Sequence, residues 1–178
     1  GAGEAYGVTA EGPVRVDQAA VVAKKDEVVK MLVQGVGSAL RRSKVKVVNG
    51  TAKLGRVDGK PAVFVGDETY TAENLILATG STPAVPPIEG VKEGMADGTV
   101  MTSDEILDMK EIPKKLLVVG GGVIGFEMAA YFQEVGAKVT VIEMLDKVLG
   151  GNDREVSELL QKELEKKGVT FHLSSGVK

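Results

Sequence analysis

The strongest constraint in this chain is a six-residue string, Gly120-Gly121-Gly122-Val123-Ile124-Gly125, set between an apolar run and a helical pattern. Three successive glycines let the backbone bend where side chains would collide. Upstream, Leu116 to Val119 reads as a compact apolar strand; downstream, Val123 to Val135 reads as a helix. Lys138 to Ile142 follows as a second strand, Asp153 to Lys167 as a second helix and Val169 to His172 as a third strand. Val156, Leu159, Leu160 and Leu164 give that second helix one apolar face. Asn152 or Asp153 is placed to cap its start, and Gly168 lies where a C-terminal glycine is expected. Strands and helices alternating at this spacing imply parallel pairing through right-handed crossovers, so the last third is expected to be βαβαβ.

The string fits the pattern G-x-G-x-x-G, which is weak alone because glycines gather in many turns. Here its context is complete: a strand before it, a helix after it, and Glu143 closing the next strand, 23 residues beyond Gly120. Gly120 permits the tight turn, Gly122 removes the β-carbon that would hold a pyrophosphate off the backbone, and Gly125 allows close packing of helix on strand. Unpaired amides and the positive end of the helix dipole then face the phosphates. Glu143 can accept hydrogen bonds from a ribose diol and would repel a 2′-phosphate, which favours NAD over NADP. The opposing reading is a fold of this type that binds no ligand. Glu127, early in the helix, either complements the positive helix end or has a functional role. His172, the single histidine, reads as a packed or edge residue, and Met128, Tyr131, Phe132 and Met144 read as packing.

The first half has a different texture. Asp17 to Arg42 reads as one long helix with Asp17 as N-cap, an apolar stripe of Val21, Val28, Met31, Leu32, Ala39 and Leu40, and Lys24, Lys25, Lys30, Arg41 and Arg42 mostly on the wet side. Val45 to Val48, Thr51 to Leu54 and Ala62 to Val65 are short β-rich runs separated by Asn49-Gly50, Asp58-Gly59 and Gly66-Asp67. They predict a small meander, and Leu75 to Ala78 a buried strand after it. Residues 81–113 carry Pro83, Pro86, Pro87 and Pro113 and read as a crossing linker with at most one short helix. The capping-box spacing of Thr102 and Glu105 sets that helix at about Ser103 to Met109. The division expected is residues 1–82, a linker at 83–113, and a second domain at 114–178.

Composition narrows the function classes. The net charge of −3 leaves no cationic excess for the phosphates of a nucleic acid, so nucleic acid is not an expected partner. No cysteine is present, so the chain offers no disulfide, thiolate metal site or sulfur nucleophile. Neither a signal-like start nor a membrane-length apolar run is seen, and the expectation is a cytoplasmic protein with no membrane partner.

Two segments together resemble a known family. Asn74-Leu75-Ile76-Leu77-Ala78-Thr79-Gly80-Ser81-Thr82-Pro83 looks like an A-T-G segment that ends a flavin domain. Gly120 to Glu127 with Val139-Thr140-Val141-Ile142-Glu143-Met144 looks like the NAD segment of dihydrolipoamide dehydrogenases. The resemblance implies an α/β, three-layer Rossmann-like FAD/NAD(P)-binding fold, incomplete here, with a small β-meander and a long helix. It implies that Ala52 touches the FAD adenine through its backbone and that Thr79, Gly80 and Ser81 lie against the flavin nucleotide. By the same similarity Glu127 pairs with a lysine beside the flavin, and Val177 offers its backbone to the NAD adenine. Gly150-Gly151 departs from the proline usual near this point. The family's FAD fingerprint, redox-active cysteine pair and dimerisation domain with its His-Glu pair have no counterpart in these residues, so no catalytic residue is assigned and the chain alone is expected to be inactive. The parent implied is a homodimer that reoxidises the dihydrolipoamide of the lipoyl-bearing acyltransferase component of 2-oxo acid dehydrogenase complexes, through FAD to NAD. The alternatives are a related NADH-dependent flavin disulfide reductase or NADH oxidase, and a stand-alone non-catalytic NAD-binding module.

Overall fold

A computed structural model describes residue 12 and residues 15–178. The chain divides into two compact units: residues up to Asp26 with Pro83–Lys178, and Glu27–Thr82. Helix α1, Gln18–Arg42, runs through the boundary. Its start is capped as expected, the Ala20 amide donating to Asp17 Oδ1 at 3.0 Å. At its other end the Val45 amide bonds back to the Leu40 carbonyl and the Lys44 amide to that of Arg41. This is a Schellman closure in which Lys44, at φ 56°, takes the left-handed position usually given to glycine. The apolar stripe does not become a packed face: Val21, Val28, Met31 and Leu32 are exposed, and only Gln18 and Val22 on this helix are buried. Helical spacing reports that one side is apolar, and burial depends on a surface to cover it.

The second unit is completed by an antiparallel meander, β1 (Ala52–Val57), β2 (Lys60–Val65) and β3 (Glu68–Thr71), in the order β1-β2-β3. Asp58 and Gly59 both take positive φ in the first two-residue turn, which matches the right-handed twist of the flanking strands. Two expected strands are absent. Val45 to Val48 is irregular, and Leu75 to Ala78 is irregular and open, with Ile76 86% exposed. A strand exists through the ladder it pairs with, and among the described residues neither run has one.

In the first unit the linker holds two helices instead of one. Helix α2, Val91–Asp97, lies between Gly90 and Gly98, both left-handed. Helix α3, Ser103–Ile106, carries the expected capping box, Thr102 with Glu105, but stops short of Met109. The parallel sheet then forms as read: β4 (Lys115–Val119), α4 (Val123–Glu134), β5 (Lys138–Ile142), α5 (Arg154–Lys166) and β6 (Thr170–His172), with strand order β4-β5-β6. Two parallel crossovers moving in one direction put α4 and α5 on the same side of the sheet. There Phe126, Ala129 and Phe132 from α4 and Leu164 from α5 pack with Val139 and Val141 of β5. Val156, Leu159 and Leu160 are exposed, so the face of α5 that packs centres on Ser157 and Leu164. Leu117 and Val119 point to the opposite side of the sheet and are 57% and 52% exposed. The fold class is the expected α/β, Rossmann-like one.

Candidate dinucleotide-binding site

The site grows from the turn between β4 and α4. The ladder of β5 continues past the end of β4 through the Gly120 amide, which donates to the Ile142 carbonyl at 2.8 Å. Gly120 then takes φ 104°, a value only glycine adopts without strain, and the chain swings into the helix. Gly122 is the N-cap in an extended conformation, and its carbonyl accepts the first helical bond, from Phe126 at 2.9 Å. A β-carbon at Gly125 would lie 2.2 Å from the Gly120 carbonyl oxygen and 3.1 Å from Val118 Cγ1, so the first turn of α4 rests directly on the strand. A β-carbon at Gly122 would meet nothing within 4 Å. The amides of Gly122, Val123, Ile124 and Gly125 have no acceptor among the described residues, as the first turn of a helix requires. Four free donors around an open glycine fit a pyrophosphate.

Glu143 arrives from the end of β5. Its Oε2 accepts from the Gly121 amide at 2.6 Å and its Oε1 from the Leu145 amide at 2.7 Å, so the carboxylate stands beside the glycine turn. No basic side chain follows directly, since the next two residues are Met144 and Leu145.

The remaining candidates are dispersed. Glu127 is exposed on α4 and lines a cleft of about 310 Å³ with Gln18, Val22, Leu107, Met128 and Tyr131, which no residue of the glycine turn lines. Val177 is half-buried in irregular chain beyond β6, and no hydrogen bond of the glycine turn reaches it. Ala52 opens β1, and Thr79, Gly80 and Ser81 lie in exposed irregular chain, all in the second unit.

Sequence reading missed the loop Leu145–Asn152. Val148 and Leu149 are buried, and the Leu149 amide donates to the Gly121 carbonyl at 2.8 Å. The pair Val148-Leu149 within a polar stretch was the available signal. It also missed Gln18, buried, whose Oε1 accepts from the Tyr131 hydroxyl at 2.6 Å and whose Nε2 donates to the Met109 carbonyl at 3.1 Å.

A strand, a glycine turn, a helix amino end and a carboxylate from the neighbouring strand define a protein of the Rossmann-like fold class. The chain belongs to the pyridine nucleotide-disulphide oxidoreductase family, whose model matches residues 4–178. It is 41% identical to a dihydrolipoyl dehydrogenase of Acholeplasma laidlawii, over 97% of this chain and 51% of that protein. It is 40% identical to one of Mycoplasma genitalium, over 92% of this chain and 35% of the relative. Among solved structures, the Cu(II) complex of the HOCl-induced flavoprotein disulfide reductase RclA from Escherichia coli superposes with a TM-score of 0.77 at 28% identity. That match covers 90% of this chain and 36% of the other. The chain thus spans about half or less of the length of the curated relatives it matches. Among the described residues no helix is long and apolar enough to cross a membrane.

Proposed function

We propose that this chain supplies the NAD-binding wall, and a share of the FAD wall, of a dihydrolipoamide dehydrogenase. The observation that carries the reading is the Glu143 carboxylate, 2.6 Å from the Gly121 amide and beside four free backbone donors. In this reading the amides of Gly122 to Gly125 hold the pyrophosphate, Glu143 accepts the adenosine ribose diol, and Val177 offers its backbone to the adenine. Ala52, Thr79, Gly80 and Ser81 face the FAD nucleotide, and Glu127 supplies a carboxylate close to the nicotinamide. When bound, the nicotinamide and flavin carry the two-electron transfer; the residues here bind and orient them. Residues 1–82 then belong to the flavin domain, 83–113 to the crossing and 114–178 to the NAD domain. The cytoplasmic homodimer serving a lipoyl-bearing acyltransferase is part of the same reading.

A related flavin disulfide reductase is the second reading, favoured by the match to RclA. Identities of 41% and 40% to dihydrolipoyl dehydrogenases, against 28% to RclA, support the first.

Titration tests the site. Hydrogen bonds to charged groups are worth about 1.5–3 kcal/mol, so Glu143→Ala is expected to weaken NADH binding roughly tenfold or more. Unchanged affinity would refute the assignment. The chain has no cysteine, and thiol-disulfide exchange needs a thiolate, so the purified chain alone is expected to show no lipoamide turnover. Turnover in that assay would overturn the division of labour proposed here.

A further inference from the structure

We infer that Glu143 is also the positioning residue that gives the glycine turn its shape before any nucleotide binds. The geometry is that of a clasp. Both carboxylate oxygens are engaged within the chain itself, Oε2 by the Gly121 amide and Oε1 by the Leu145 amide. An ionised carboxylate has about four acceptor sites, so two are used and two remain for a sugar diol. Clasping the loop and accepting a ribose are therefore compatible in one side chain.

Gly121 is gripped on every polar side. Its amide is held by Glu143 and its carbonyl by the Leu149 amide at 2.8 Å. A β-carbon there would stand 3.0 Å from Val148 Cγ1 and 3.2 Å from Glu143 Cβ, so the turn and the loop are already in contact. The loop is tied down in turn. The Ser174 amide donates to the Leu145 carbonyl at 2.8 Å, the Asn152 amide to the Leu149 carbonyl at 2.8 Å, and Lys147 Nζ to the Asn152 carbonyl at 2.5 Å. Leu149 accepts a left-handed φ of 53° within this arrangement. Glu143 stands where the two segments meet, and its amide and carbonyl are fixed by the His172 carbonyl and the Ser175 amide. Gly121 orients the peptide that leads into Gly122, where the free amides begin. Removing the clasp therefore loosens the phosphate cradle as well as the sugar contact. A residue that acted only on the sugar would leave a phosphate ligand without ribose untouched.

Glu143→Gln disturbs both roles, because an amide presents one acceptor and one donor where two backbone N–H groups now donate, and two readouts tell the roles apart. Amide hydrogen exchange on the nucleotide-free protein is the first readout. Exchange at Gly121 and Leu145 is expected to quicken roughly tenfold or more, the counterpart of losing a hydrogen bond to a charged acceptor. In the unsubstituted protein Gly121 should exchange more slowly than Gly122, a comparison that stands even if the variant does not fold. The second readout is affinity for inorganic pyrophosphate and for ADP-ribose, both of which should weaken in the variant. Unchanged exchange at Gly121 and Leu145, or no protection of Gly121 over Gly122, overturns the clasp. Loss of ADP-ribose affinity with pyrophosphate binding intact overturns its role in the cradle and leaves the sugar role alone. The cradle role rests on the dinucleotide reading, and the two fail separately. If the unsubstituted protein binds neither ligand while Glu143→Gln still quickens exchange, the dinucleotide reading falls and the clasp stands.

Discussion

Single residues at the β4–α4 turn show how little space separates a working turn from a broken one. Gly125 sits where a methyl group would be driven into the Gly120 carbonyl at 2.2 Å, and neither backbone oxygen nor strand can withdraw cheaply. Gly125→Ala is expected to cost about 1–3 kcal/mol, the usual penalty for overfilling a packed contact. A urea titration reads that loss as a lower midpoint, and an unshifted midpoint would show that α4 can lift off the strand. The turn at Gly120, the close packing at Gly125 and the position of Glu143 at the end of β5 were legible because each follows from a local spacing. The grip on Gly121 was not, since it depends on Val148 and Leu149 folding back across a gap that no periodicity marks. Nor was Gln18, whose partners Met109 and Tyr131 are distant in the chain.

Helices were legible in proportion to their end signals. The α4 and α5 helices close through Gly136 and Gly168, each with the same pair of backward bonds, and both were read nearly to the residue. Helix α2 was missed because its flanking glycines and nearby prolines read as loop chemistry, and α3 was found through its capping box alone. The strands show the converse. Every run that gained a partner became a strand, while Leu75 to Ala78 has the composition of one and, among the described residues, no neighbour to bond. Helix α5 also yields a prediction about acidity. Asp153 caps it through the Glu155 amide at 2.9 Å, and Arg154 in its first turn bonds Asp146 at 2.8 Å, which holds that carboxyl below the usual aspartate range. A depressed folded value means that the contribution is present above the unfolded value and disappears as pH falls through the folded one. Asp146→Asn should therefore flatten the acid limb of the stability-versus-pH curve slightly, because both partners are exposed. An acid limb steeper than that of the parent would contradict the sign.

The molecule as a whole keeps its order unevenly. In the parallel sheet β5 is the middle strand, with Val139 and Val141 fully enclosed, whereas β1 of the meander is exposed along nearly its whole length. Native-state amide exchange is expected to be slowest in β5 and much faster in the β1–β2–β3 ladder, since local opening follows burial. Equal protection in the two sheets would refute that ranking. The boundary between the two compact units runs through the first half of α1, where the helical pattern gives no sign of a break. The side of the parallel sheet that bears Leu117 and Val119 meets solvent, and exposed apolar surface of this kind promotes self-association. Dilute, low-salt handling suits such a molecule, while concentration and salting-out agents push copies of it together.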